Sequence, residues 1–209
     1  MRPVRKNKPH LYKNGQPYEN ARDGLVSRLG LYCSYCERKL PTGIEVEHIQ
    51  PKSLNTNLER DWHNFLLACK NCNTCKSTSN SPLYDWLIPD RDNTFIAFEY
   101  RQDGIIEVKQ GINKQHKAKN TLQILNLNKK VRQVFDPNRN LIALDKRTQR
   151  MDAWILAKKW RDRWDNSQNA SETLEIIKDA ICDLSKENGF FSIWMKAFEG
   201  VTVIRNRLI

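Results

Sequence analysis

Cys33 and Cys36 are separated by two residues, and so are Cys69 and Cys72. Four thiolates paired in this way can enclose one ion tetrahedrally with no open position, which is the arrangement of a structural zinc site and not of a catalytic one. Cys72 and Cys75 share the same spacing, so Cys75 stands as a rival ligand, with a spare helical thiol the preferred reading. Between the pairs lies "VEHIQPKS", in which Glu47 offers a hard carboxylate oxygen beside the imidazole of His48. Asn73 adds a carbonyl oxygen, and carboxylate with amide oxygen is the donor set that magnesium or manganese prefers. An imidazole with a pKa near ~6.5 beside such an ion can deprotonate water at neutral pH, as hydrolysis of a phosphodiester requires. Lys76, three residues after Asn73 and on the same helical face, is placed to neutralise a flanking phosphate.

These side chains need a frame, and the sequence supplies strand, loop, strand, helix. Ile44 and Val46 alternate with Glu45 and Glu47, a half-buried strand that runs into His48 and is stopped by Pro51. Asn64 opens a second apolar run, Phe65 to Ala68, too short for a helix, and a polar helix is predicted from Lys70 to Lys76. A zinc knot would clamp the loop before the first strand to the end of the second, in a unit too small to hold itself by apolar burial. Upstream, a short helix around Arg22 to Leu29 stops at Gly30. Downstream come an aromatic connector, "SPLYDWLIPDRD", and two apolar runs, Thr94 to Tyr100 and Ile105 to Lys109, whose Asp103-Gly104 link favours a hairpin. The rest reads as helical, with Leu144, Thr148, Met151 and Ile155 on one stripe and Leu174, Ile177, Ile181 and Leu184 on another that Gly189 closes. Trp154, Trp160 and Trp164 lie close to the first stripe and read as core or interface. The expected class is therefore α+β: a basic segment at 1–30, a ββα unit at 31–79, a connector and hairpin at 80–113, and a helical region at 114–209 suited to partner docking.

With 35 Lys and Arg against 24 acidic residues, the net charge is +11 and the pI about 9.5. That balance suits a polyanion, and nucleic acid is the natural candidate. No apolar run approaches the roughly 18 residues needed to span a membrane, and the basic start lacks the apolar core of a secretory signal. A cytoplasmic location is expected, where thiols stay reduced and metal binding is preferred over disulfides. The basic start (Arg2, Arg5, Lys6, Lys8, Lys13) reads equally as a solvated arm or as a phosphate-contacting one. His63 reads as structural or phosphate-facing, Cys182 as core, and His10 and His116 carry no functional reading.

At Glu47-His48, Asn64 and Asn73, in that order, the sequence resembles the HNH endonuclease family, and "NFLLACKNCNTCKS" is similar to the family's Asn-Leu and Cys-x-x-Cys-Asn-x-x-Lys pattern. Glu47 stands where Asp is commoner. The resemblance implies a ββα-metal fold with His48 as general base, Glu47 and Asn73 as ligands of a catalytic Mg²⁺ or Mn²⁺, and Asn64 holding the imidazole and its loop. A narrower resemblance runs through "RLGLYCSYCERKL", "VEHIQPKS", "DWHNFLLAC" and "TLQILNLNKKV", to the HNH nuclease subunit of Septu-type and retron-linked antiphage systems. It implies an ABC-like ATPase as partner, docked on the helical tail, and for retron-linked systems a reverse transcriptase complex. The expected activity is cleavage of DNA, with RNA, tRNA included, as the alternative. Two rivals remain: a non-catalytic zinc-knuckle module that binds nucleic acid, and an interaction subunit that delivers an ATPase to its target.

Overall fold

A computed structural model describes residues 1–9, 11–77, 79–129, 146–167 and 171–208. The chain divides into two compact units, one made of Met1–Glu99 with Val108–Asn126, the other of Tyr100–Glu107 with Leu127–Ile209.

The first unit is built on β1 (Ile44–His48) and β2 (Phe65–Cys69), paired antiparallel with Ile44 opposite Cys69 and His48 opposite Phe65. All five residues of β2 are buried, so its sequence is continuously apolar, whereas β1 departs from the expected half-buried strand: both of its faces are covered, with Ile44, Glu47 and His48 buried and Glu45 and Val46 half-buried. Helix α1 (Ala21–Leu29) lies against β2 through Ala21, Leu25 and Leu29 and ends where the Gly30 N–H bonds back to the Val26 carbonyl. Helix α2 (Lys70–Lys76) starts directly from the end of β2, with Cys69 as its N-cap.

Of the two readings of the basic start, the structure fits neither simply, because this segment is sewn into the unit. Met1, Val4 and Lys6 are buried; the Val4 N–H donates to the Pro89 carbonyl and the Arg2 guanidinium to the Leu29 carbonyl. The Lys6 ammonium donates to the carbonyls of His63 (3.1 Å) and Phe65 (2.7 Å) and pairs with Asp90 at 2.8 Å. Three bonds match its three N–H groups, which is how a buried ammonium is tolerated. Arg5 and Lys8 stay exposed. The unit closes with α3 (Gln115–Ile124), whose buried Thr121 hydroxyl accepts from the Leu87 N–H.

A hairpin of β3 (Phe98–Tyr100) and β4 (Ile106–Val108) turns at Asp103-Gly104, as predicted. The second unit packs α4 (Lys146–Asn166), α5 (Ser171–Asn188), α6 (Phe191–Ala197) and α7 (Thr202–Arg205) around a core that includes Ala157, Trp164, Ile181, Trp194, Phe198 and Ile204. The α5 stripe of Leu174, Ile177, Ile181 and Leu184 faces this core as expected. The α4 stripe does not: Ile155 is 65% exposed, Met151 is exposed, and Leu144 lies outside the described residues. The buried face of α4 is Lys146, Arg150, Ala153, Ala157 and Trp164. Arg150 donates to the carbonyls of Gly104 (2.7 Å) and Leu127 (2.9 Å), so a charged residue is spent on the hairpin turn.

That turn leaves no room. Gly104 has φ +76, and a Cβ there would lie 2.3 Å from the Arg147 carbonyl oxygen. Gly104→Ala is expected to cost about 3 kcal/mol or more, because backbone strain adds to a clash with main chain that has no rotamer to yield. Thermal unfolding followed by tryptophan fluorescence checks this, and a melting temperature equal to the parent's contradicts the packing.

Candidate metal and phosphodiester site

The four predicted sulfurs meet. The Sγ atoms of Cys33, Cys36, Cys69 and Cys72 lie within 4.8 Å of one another, all buried. Two backbone N–H groups point at them: Cys36 N to Cys33 Sγ at 3.5 Å, and Cys72 N to Cys69 Sγ at 3.4 Å. Neighbouring thiols hold the Cys69 thiol far below its ordinary range, while burial pushes Cys33 upward. Thiolates crowded in this way repel unless a cation lies among them, so the donor set fits zinc, and the paired spacing already pointed to these four. Cys75 is half-buried and turns its thiol to the Asn71 side-chain oxygen at 3.6 Å, apart from the cluster.

Beside the cluster, α2 covers the face of β1 that carries its glutamates. Alternation along β1 sends Glu45 and Glu47 to one side and Val46 and His48 to the other. Lys76 reaches from the last turn of α2 to Glu47 Oε1 at 2.9 Å, and its ammonium also donates to the His48 carbonyl at 2.7 Å. Both side chains are almost wholly buried, so this cation faces inward. Burial pushes the Glu47 carboxyl upward and the Lys76 charge pulls it back. Glu47 Oε1, despite the ion pair, has no hydrogen bond of regular geometry. One turn earlier, Asn73 Nδ2 donates to Glu45 Oε2 at 2.7 Å. With its N–H₂ fixed on a carboxylate, the Asn73 amide turns its carbonyl oxygen away as the remaining donor atom. The Glu47 carboxylate, ion-paired with Lys76, and an oriented amide oxygen supply the hard oxygen donors that a divalent ion takes, so the chemistry of these residues fits such a group.

Glu45 was read from the sequence only as a strand residue. Its one available signal was its place two residues before Glu47, on the same face of the strand. Glu45→Ala is expected to raise the divalent-ion concentration for half-maximal activity about tenfold, the scale for losing a group that orients a ligand, with zinc content unchanged. A metal-concentration series checks it; an unshifted midpoint removes Glu45 from the site.

His48 leaves the other side of β1. Its ring meets Tyr18 and Phe65 edge-on, with centroids 4.8 and 5.2 Å away. Nε2 is 2.9 Å from the Glu59 carbonyl oxygen. A carbonyl can only accept, so Nε2 carries the proton and Nδ1 is left as the basic nitrogen. Burial pushes the imidazole pKa down, which keeps the ring neutral. The loop that brings Glu59 here is stapled by buried Asn64: its Oδ1 accepts from the Gln50 N–H (2.8 Å), and its Nδ2 donates to the carbonyls of Gln50 (2.9 Å) and Leu58 (3.2 Å). Asn64 therefore grips the backbone beside Glu59, and through it the ring. Lys52, which drew no separate notice in the sequence, lies with its ammonium 4.0 Å over the Tyr18 ring and its side chain 42% exposed. His63 is exposed, and His116 pairs with Asp85 at 3.1 Å on the surface. His10 falls outside the described residues.

Around β1 the structure thus places three features: a sulfur cluster, a carboxylate and amide pair held by α2 on one face of the strand, and on the other face an imidazole whose tautomer is set by a backbone carbonyl. Among the described residues, no helix is long and apolar enough to cross a membrane. Residues 33–79 match the HNH endonuclease family model. Over 127 residues the chain is 32% identical to the Septu protein PtuB of Bacillus thuringiensis, an alignment covering 58% of this chain and 45% of that protein, so the chain spans about half the length of this curated relative. The segment that builds the site therefore carries the HNH endonuclease pattern, in a chain similar to a Septu protein PtuB.

Proposed function

We propose that residues 33–79 form a ββα-metal unit that hydrolyses phosphodiester bonds in nucleic acid, with DNA the favoured substrate and RNA, tRNA included, the alternative. The observation that carries this reading is the His48 ring, with Nε2 held on the Glu59 carbonyl so that Nδ1 is the base. Nδ1 takes a proton from a water molecule as its oxygen attacks phosphorus, and the bond to the leaving oxygen breaks. Glu47 and Asn73 would hold a Mg²⁺ or Mn²⁺ ion, which when bound supplies stabilisation of the charge on the phosphate and the leaving oxygen. Lys76 keeps Glu47 ionised and ties it to the strand, a positioning role that its inward-facing ammonium supports over direct phosphate contact. Lys52, half-buried over Tyr18 and 3.9 Å from Glu59 Oε1, keeps its side chain 42% exposed and is the better placed cation for a flanking phosphate. Asn64 positions the loop that fixes the imidazole.

Similarity to a Septu protein supports a further reading of the whole chain as the effector nuclease of a bacterial antiphage system. In that setting an ABC-like ATPase, and in retron-linked systems a reverse transcriptase complex, would be its partners, docked through the helical unit.

The test is to incubate the purified chain, with and without an ATPase encoded beside it, with plasmid DNA and total RNA in magnesium or manganese. Two classes of metal predict two behaviours. Mild EDTA should stop cleavage while zinc stays on the four sulfurs, and added magnesium or manganese should restore it, with calcium restoring it poorly. Glu47→Ala and Asn73→Ala should raise the ion requirement or remove activity without loss of zinc. Full activity in EDTA, or rescue by zinc alone, contradicts the division; binding without cleavage under every condition leaves a zinc-knuckle binding module.

A further inference from the structure

The mechanism makes no use of a cavity of about 490 Å³ on the first unit, within the size range of ligand pockets. It is lined by Arg5, Lys6, Lys8, His63, Asp90 and Arg91. Four cations against one carboxylate leave three net positive charges facing one space. Its floor is built, not incidental. Lys6 and Asp90 pair at 2.8 Å with side chains each only 6% exposed, and Lys6 also bonds the backbone of the His63–Phe65 segment. Arg91 donates to the His63 carbonyl at 2.9 Å, so its guanidinium is anchored at the rim. Asn7, which also lines the cavity, is held in the left-handed region at φ 51, with its carbonyl accepting from the Trp62 indole at 2.8 Å.

Asp90 points to what the cavity takes. Lys6 uses Oδ2, whereas buried Oδ1 has no hydrogen-bond partner and stands 3.7 Å from Arg91 Nε. A buried carboxylate oxygen left in that state costs stability unless a ligand brings it an N–H or O–H. Exposed Arg5, Lys8 and Arg91 around it ask for an anion. A phosphate with a proton donor a few ångströms away describes a nucleotide.

We propose that this cavity holds one nucleotide of the nucleic-acid substrate, away from the scissile bond. Its phosphate lies among Arg5, Lys8 and Arg91, and an N–H of its base or an O–H of its sugar donates to Asp90 Oδ1. The assignment rests on the nuclease reading for its ligand but not on the catalytic residues. It also gives the basic start a use: the chain is tied down by Met1, Val4 and Lys6, while Arg5 and Lys8, on either side of Lys6, stand exposed.

Binding is measured without added divalent ion, so that cleavage does not intervene, using fluorescein-labelled twelve-nucleotide DNA and RNA, single-stranded and duplex, over a range of salt. Arg5→Ala/Lys8→Ala should raise Kd about tenfold and lower the slope of log K against log salt by ~1.4 to 1.8, the release expected for two phosphate contacts. Lys109→Ala/Lys119→Ala, which removes the same charge from exposed positions outside the cavity, should change the slope far less. Equal effects from the two pairs, or no effect from the first, overturn the site. Asp90→Asn distinguishes the donor: the Lys6 ammonium, which only donates, keeps the remaining oxygen, so an N–H₂ replaces Oδ1, and the lost negative charge tightens a purely electrostatic site but loosens one in which Oδ1 accepts a hydrogen bond. Unchanged or tighter binding therefore removes Asp90 from the assignment, with zinc content and melting temperature confirming the fold. A preference for RNA that Asp90→Asn erases assigns the donor to the 2′-hydroxyl, and equal loss on DNA and RNA assigns it to the base. If the parent binds none of the probes, the nucleic-acid reading itself fails, and the cavity's assignment fails with it; if the parent binds and the variants match it, only the cavity's assignment fails.

Discussion

His48→Ala should lower the rate of phosphodiester cleavage about 10³-fold or more, to the background of the assay, while zinc content and the circular dichroism spectrum stay at parental values. A positioned general base contributes of order 10² to 10⁴ in rate, and His48 is the residue whose neutral ring, fixed tautomer and position at the strand end suit that task. Alanine removes the base and an edge contact with Tyr18 and Phe65, but the strand register depends on backbone bonds and on fully buried β2, which this substitution leaves intact. A second variant separates chemistry from positioning. Asn64→Ala deletes bonds to Gln50 and Leu58, so it should loosen the loop that carries the Glu59 carbonyl and lower cleavage together with local stability. Cleavage by His48→Ala equal to the parent's would remove the base assignment and favour a binding module.

Cys72→Ser has a comparable effect on stability. Cys72 is fully buried among three other sulfurs, and its N–H caps onto Cys69. A hydroxyl there removes a thiolate ligand and places a polar group where only sulfur is satisfied. A closed zinc site contributes folding free energy directly. A loss of about 4 kcal/mol, at the large end for single substitutions, corresponds to a fall of roughly 10 to 20 °C in melting temperature for a unit of this size. Elemental analysis should show zinc falling from about one ion per chain toward none, and Cys33→Ser should do the same. One zinc per chain in both variants would mean a different ligand set, with Cys75 the first residue to test.

The parts of the fold that the sequence exposed are those whose pattern and packing agree. Alternation at Ile44 and Val46, the continuous run Phe65–Ala68 and the spacing of four cysteines each have one economical reading, and the two strands, α2 and the sulfur cluster follow it. Gly30 and Gly189 close α1 and α5 where the pattern placed them. Helix α4 defeated the same reasoning because its buried face is made of alanines and of charged residues, Lys146 and Arg150, whereas Met151 and Ile155 are left outside. Periodicity counts apolar side chains and cannot see a guanidinium that buries itself by bonding carbonyls at a turn more than forty residues earlier. The basic start, read equally as a solvated or a phosphate-contacting arm, hid the burial of Lys6 for the same reason: its partners, Asp90 and two distant carbonyls, lie far off in the sequence. At the site, residue types disclosed the candidates, but the groups that orient them are a backbone carbonyl, from Glu59, and a carboxylate whose role depends on Asn73 across the helix interface.

Helix α2 is seven residues long, well short of the ~12 to 15 at which a helix begins to persist unaided in water. Its first turn carries Cys72 and its last carries Asn73 and Lys76, so one short element serves the sulfur cluster and the carboxylate face together. Its amide protons, including that of Ser77 bonded to the Asn73 carbonyl at 2.8 Å, should then be shielded from deuterium only while the sulfurs stay closed around their ion. Helix fraying would give a gradient of exchange from one end to the other; opening of the sulfur cluster would release the whole element at one rate. Deuterium uptake over residues 73–77 should therefore keep time with zinc release, making the departure of an ion from the sulfurs and the dispersal of the carboxylate face a single event.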